Sequence, residues 1–98
     1  MTGVGTPADR IPFLPRGVRL HDDRVRGAAV LLGPERAIML DEIGQAILSE
    51  IDGTHSLDQI AQDLAARYDA PKDEVAADVT AFLDDLADRL LVRYRNDG

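Results

Sequence analysis

At 98 residues the chain is long enough for one domain around a single core and too short for two. Hydrophobic residues make up 45% of it, which excludes a disordered polymer, and the lack of cysteine excludes disulfides, thiol catalysis and thiolate metal sites. The net charge of −7 is uneven: residues 1–38 hold six basic and four acidic side chains, residues 39–98 five and fourteen, so the second half would repel a nucleic acid. No apolar run approaches the eighteen or so residues of a membrane span, and no basic region followed by an apolar stretch opens the chain. A cytoplasmic setting with no membrane partner is expected.

Gly3, Gly5, Pro7, Pro12 and Pro15 mark residues 1–15 as a flexible N-terminal arm, with Ile11, Phe13 and Leu14 placed to dock it. Residues 16–95 are then the domain. Three short strands are expected at 17–21, 25–32 and 35–40, with Asp22-Asp23 as a turn, Gly27 as a bulge and Gly33-Pro34 as a break. Their spacing suits an antiparallel meander.

The remainder reads as helix. Asp41 caps a helix over 42–52, with Ile43, Ile47 and Ile51 on its inner face and Gly53 as its left-handed end. Ser56 and Gln59 form a capping box that opens a second helix to Tyr68, with Leu57, Ile60, Leu64 and Tyr68 inward. Pro71 suits the first turn of a third helix, which carries Val75, Val79, Phe82, Leu83, Leu86 and Leu90 in one stripe and runs to about Leu91. Residues 92–95 are left as a short extended end. Three strands followed by three helices predict an α+β fold, a winged helix-turn-helix-like arrangement.

Few constellations carry chemistry. His21 and His55 are isolated, so no metal site is expected. Asp22-Asp23 and Asp84-Asp85 are adjacent pairs whose side chains diverge, which reads as solvated surface acid rather than a general acid and base. Gly3-Val4-Gly5 is not followed by a strand and helix, so it is no phosphate loop. Ser56 invites comparison with the attachment serine of acyl carriers, but His55 stands where such carriers have Asp, and a helix N-cap accounts for Ser56. The third strand is the informative one: Ala37-Ile38-Met39-Leu40 is short and apolar, and a strand at a sheet edge can accept another chain. It can equally be core, its edge covered by the arm.

The segments Leu14-Pro15-Arg16-Gly17-Val18-Arg19-Leu20 and Val30-Leu31-Leu32-Gly33-Pro34-Glu35-Arg36 resemble the pyrroloquinoline quinone (PQQ) biosynthesis protein D family, PqqD. Leu40-Asp41, Gly44, Ile47-Leu48, Asp52-Gly53-Thr54, Ile60, Leu64, Tyr68, Asp78-Val79, Leu83 and Leu86 continue the match over roughly residues 11–92. The chain departs from the pattern at Leu90, where a glycine is expected after Arg89. The resemblance implies a non-catalytic recognition element for a ribosomally made precursor peptide. It implies a peptide chaperone that presents this substrate to a radical S-adenosylmethionine enzyme and uses no cofactor of its own. It also implies that the peptide lies along the third strand, against Arg36, Ala37, Ile38, Met39 and Leu40, in a groove walled by Asp78, Val79, Phe82, Leu83 and Leu86. The competing readings are a winged-helix DNA-binding regulator, which the acidic helices oppose, and a general protein-interaction module, which the same strand would serve.

Overall fold

The computed structural model describes residues 10–23 and 27–96. Eight elements follow in chain order: β1 (Arg10–Phe13), β2 (Arg19–Asp23), β3 (Ala28–Leu32), β4 (Ala37–Leu40), α1 (Glu42–Ser49), α2 (Leu57–Tyr68), α3 (Lys72–Asp88) and β5 (Arg93–Asn96). β2, β3 and β4 form an antiparallel sheet in that spatial order, and the three helices follow it, as the sequence predicts.

The expected turn at Asp22-Asp23 is instead strand, with Asp22 opposite Ala29 and Asp23 opposite Ala28. Of the strand expected at 25–32, residues 25 and 26 lie outside the described residues, and Gly27, at φ +65°, precedes β3 rather than forming a bulge within it. Of the expected arm, residues 1–9 lie outside the described residues, while Arg10–Phe13 is a strand. It pairs with β5 in register Arg10↔Asn96 to Phe13↔Arg93, forming a second, two-stranded sheet. Ile11 on it is buried. Tyr94 anchors this sheet to α3: its hydroxyl donates to Asp84 Oδ1 at 2.7 Å, the Arg10 guanidinium lies 4.1 Å from its ring centre, and Arg10 meets the same carboxylate at 3.3 Å. Burial, and then the bond to Asp84, push the phenol's pKa well up. Asp84 is therefore a structural acceptor and not the solvated acid expected of it.

The caps fall where the sequence places them. Gly44 N–H donates to Asp41 Oδ1 at 2.7 Å. Ser56 and Gln59 exchange both bonds of a capping box, at 3.1 and 2.9 Å. Pro71 stands one position earlier than expected, as the N-cap of α3.

α1 ends three residues short of its expected end, because the Asp52 carboxylate gathers the chain beyond it. Its Oδ1 accepts from Thr54 N–H at 2.9 Å, Thr54 Oγ1 at 2.7 Å and His55 N–H at 3.1 Å, and meets His55 Nδ1 at 2.9 Å. Gly53, at φ +84°, is thus a loop residue and not the helix cap, and its carbonyl accepts from the Arg95 side chain. The bond to Asp52 raises the His55 pKa above its ordinary 6.5. A raised histidine pKa stabilises the fold at low pH, and that contribution fades as pH rises through the folded value. An NMR titration of the His55 ring should therefore show a midpoint above 6.5 that returns toward it in Asp52→Ala; an unchanged midpoint in that variant would remove Asp52 as the cause.

The core lies between the sheet and the helices. Leu31, Ile60 and Leu83 are fully buried, one each from β3, α2 and α3, and each leucine-sized side chain so placed contributes about 1.5–3 kcal/mol. Leu86, Leu91 and Val92 extend the core toward the chain's end.

Three residues expected inside are not: Ile43 is 49% exposed, Tyr68 42% and Leu90 79%. Leu90 lies outside because α3 stops at Asp88 and Leu90 itself turns to φ +65°. Leu90 N–H donates to Ala87 C=O and Leu91 N–H to Leu86 C=O, the two bonds of a Schellman end. This position favours glycine, since the left-handed region costs a side-chain-bearing residue about 1–2 kcal/mol. Set against the unfolded-state freedom of glycine, Leu90→Gly should raise stability by about 1 kcal/mol, moving Tm up several degrees. A thermal melt at or below that of the parent would contradict this account of the helix end.

Candidate functional site

β3 and β4 join through a tight turn in which Gly33 N–H donates to Arg36 C=O at 2.8 Å. That bond makes Gly33 and Arg36 a hydrogen-bonded pair, and such pairs alternate along an antiparallel ladder. With Leu32↔Ala37, Leu31↔Ile38, Val30↔Met39 and Ala29↔Leu40 in register, Ile38 and Leu40 direct their backbone groups toward β3. Ala37 and Met39 direct theirs to the other side. β4 ends the sheet, and among the described residues no strand pairs with that side. An unpaired strand edge is a template for another chain.

Side chains alternate the other way. Ile38 and Leu40 sit opposite the buried Leu31 and Ala29 and face the helices. Ala37 and Met39 face outward, Met39 at 60% exposure.

α3 runs beside this edge, and two close approaches fix its placement. A Cβ built on Gly44 of α1 would lie 3.2 Å from the Phe82 ring and 3.5 Å from Leu40, so Phe82 sits where β4, α1 and α3 meet. A Cβ on Gly33 would lie 2.6 Å from Leu91, so the chain just past α3 packs under the β3–β4 turn. α3 therefore passes β4 in the opposite sense, its middle near Leu40 and its end near Arg36. Asp78, Phe82, Asp85 and Arg89 recur at helical spacing along one stripe of this helix.

The three helices leave a cavity of about 220 Å³, lined by Ile43, Ala46 and Ile47 of α1, Leu64 and Tyr68 of α2, Ala70, and Val75, Asp78 and Val79 of α3. Its lining is apolar apart from Asp78 and the Tyr68 hydroxyl. It explains the exposure of Ile43 and Tyr68: helical spacing places both on inward faces, but here the inward face meets an open cavity. Nothing in the sequence signals that, because periodicity reports which side is apolar and not what covers it. Gly44 is the other contributor that spacing alone does not single out; a small residue lets the Phe82 ring approach α1.

Of the ten residues expected to form the groove, Arg36, Ala37, Ile38, Met39, Asp78 and Phe82 reach the surface, fully or in part. Leu40, Val79, Leu83 and Leu86 are buried and hold β4 and α3 in place, Val79 also lining the cavity. Among the described residues no group of three or more His, Asp or Glu side chains could hold a metal ion, and no helix is long and apolar enough to cross a membrane.

Residues 28–92 match the sequence profile of Coenzyme PQQ synthesis protein D. The chain belongs to the PqqD family. A PqqA binding protein of Rhizobium meliloti is 51% identical over 79 residues, 81% of each chain. One of Xanthomonas axonopodis pv. citri is 46% identical over 89 residues, 91% of this chain and 97% of that one. Among solved PqqD structures, the solution structure of the PqqD truncation of Methylobacterium extorquens PqqCD is 41% identical. It covers 92% of this chain and 95% of its own, with a TM-score of 0.77. That protein is described as a functional, stand-alone recognition element for ribosomally synthesised and post-translationally modified peptides. The crystal structure of PqqD from Xanthomonas campestris, 42% identical, covers 95% and 98% with a TM-score of 0.58. The α+β fold and its family are thus those that the sequence resemblance implies.

Proposed function

We propose that this chain binds the precursor peptide of PQQ biosynthesis as an added strand on the open edge of β4. The peptide would lie in the groove between β4 and α3 and be presented to a radical S-adenosylmethionine enzyme. The observation that carries the reading is the open edge itself. Ala37 and Met39 turn their backbone groups to it, Phe82 of α3 packs where β4 meets α1, and PqqA-binding relatives share most of the chain. Backbone pairing would supply affinity, and the side chains of Arg36, Ile38, Phe82 and Asp78 selectivity. The buried Leu40, Val79, Leu83 and Leu86 would act by positioning the two walls.

The role is one of binding and delivery, without catalysis by this chain. Holding substrate beside the enzyme raises its effective concentration, which needs no reactive group. A DNA-reading role has no support in the surface, since α3 exposes Asp73, Glu74, Asp78, Asp85 and Asp88.

Titrating ¹⁵N-labelled protein with synthetic PqqA should move amides of residues 36–40 and 78–86 most. Shifts concentrated on the outer face of α2, around Gln62 and Ala66, would overturn the strand-addition reading even if the peptide binds.

A further inference from the structure

The two ends of this groove differ in charge. At the turn end, Arg36 and Arg89 line one shallow hollow with Pro34, Glu35 and Leu90. Arg89 is paired with Asp85 at 3.3 Å, while Arg36 is exposed and has no ion pair among the described residues. Glu35 shares the hollow, so its positive character rests on Arg36. At the other end, Asp41 and Glu42 follow directly on β4, and Asp78 lines the apolar cavity without an ion pair among the described residues. Arg36 and Asp41 stand five positions apart, about 17 Å along an extended backbone. Between the two charges lies the Phe82 ring, while the cavity lies at the Asp78 end, lined by Ile43 and Asp78 among others. An engineered apolar cavity of about 150 Å³ holds benzene, so the 220 Å³ here accommodates one large apolar side chain.

We infer that this groove reads the order of charge along its peptide. It takes a cationic residue and a large apolar residue at the Asp78 end, where the cavity lies, and a carboxylate about five residues away at Arg36. The inference rests on the strand-addition reading and adds a direction to it. The sheet is antiparallel throughout, and an antiparallel addition continues its hydrogen-bond pattern. β4 runs from the Arg36 end to the Asp41 end, so the peptide enters with its N-terminal side at Asp78. The cation and the apolar anchor therefore lie on its N-terminal side, and the carboxylate follows. A peptide laid the other way puts like charges together at both ends, which penalises the wrong orientation more than it strengthens the right one.

The test uses the full chain with synthetic PqqA. At low salt, Asp78→Lys and Arg36→Glu should each weaken binding about five-fold, while Asp63→Lys, on α2 outside the groove, should not. Replacing the peptide's cation nearest the anchor by glutamate should restore affinity for Asp78→Lys. A nitroxide on the N-terminal side of the bound segment should broaden the amides of Ile43 and Asp78, and one on its C-terminal side those of Arg36 and Arg89. Affinity indifferent to both charge reversals, or the opposite broadening pattern, overturns the inference while leaving strand addition standing. A wild-type chain that does not bind the peptide overturns both.

Discussion

Proline at Ile38 should unfold the three-stranded sheet, while proline at the adjacent Met39 should leave the fold intact and abolish most peptide binding. The difference follows from the ladder. Ile38 pairs with Leu31 through hydrogen bonds set in phase by the Gly33–Arg36 turn, so its N–H is committed inside the sheet. Losing that donor and introducing the pyrrolidine ring should cost about 3 kcal/mol or more. The Met39 N–H points to the open edge, where proline is tolerated in folded proteins. Removing it should deprive a bound strand of a central bond and put a ring in its path, weakening affinity roughly ten-fold or more. Circular dichroism and a peptide titration of the two variants decide the matter. Equal affinities for Met39→Pro and the parent would mean that the peptide does not use this edge.

Leu83→Ala should be the most damaging single truncation on α3. The side chain is fully buried between the sheet and α2, and a leucine cavity of this kind costs about 2–5 kcal/mol. Against a total of about 5–15 kcal/mol for a domain, that loss is a large part of the whole. Leu90→Ala removes the same atoms seven residues later and should change stability by less than about 0.5 kcal/mol, because they are in solvent. Urea melts of the two variants would show the contrast; similar midpoints would mean that α3 ends differently from the Schellman turn described above.

The helical half was legible in the sequence because its signals are local. An aspartate three residues before Gly44, and a serine three before Gln59, each specify bonds that close within one turn. Pro71 gives the start of α3 to within one residue. The sheet was legible in outline, but its register was not, since the Gly33–Arg36 bond that sets the phase of β4 is a fact of geometry rather than composition. The β1–β5 sheet escaped for a different reason. Each strand has four residues, Pro12 interrupts one of them, and the pairing joins residues eighty or more positions apart. No window of sequence contains both halves. Residues 36–40 and the stripe from Asp78 onward stand out as segments, but Ile43 and Tyr68 resemble core residues until the cavity beneath them is seen.

The pairing of Arg10 with Asn96 has a mechanical consequence. Any tether attached before residue 10 and any attached after residue 96 leave from neighbouring points of the surface. A pull applied through both tethers meets β1 and β5 end-on, so the load falls on one residue pair at a time, and the strands unzip rather than shear. The first rung to part is Arg10 with Asn96 and the last Phe13 with Arg93, and during that peeling β4 stays outside the path of the force, while α3 is loaded only through the bonds of Arg10 and Tyr94 to Asp84. A PqqD domain joined to another protein through its N-terminal side can thus absorb tension at its seam while the β4 edge keeps its shape.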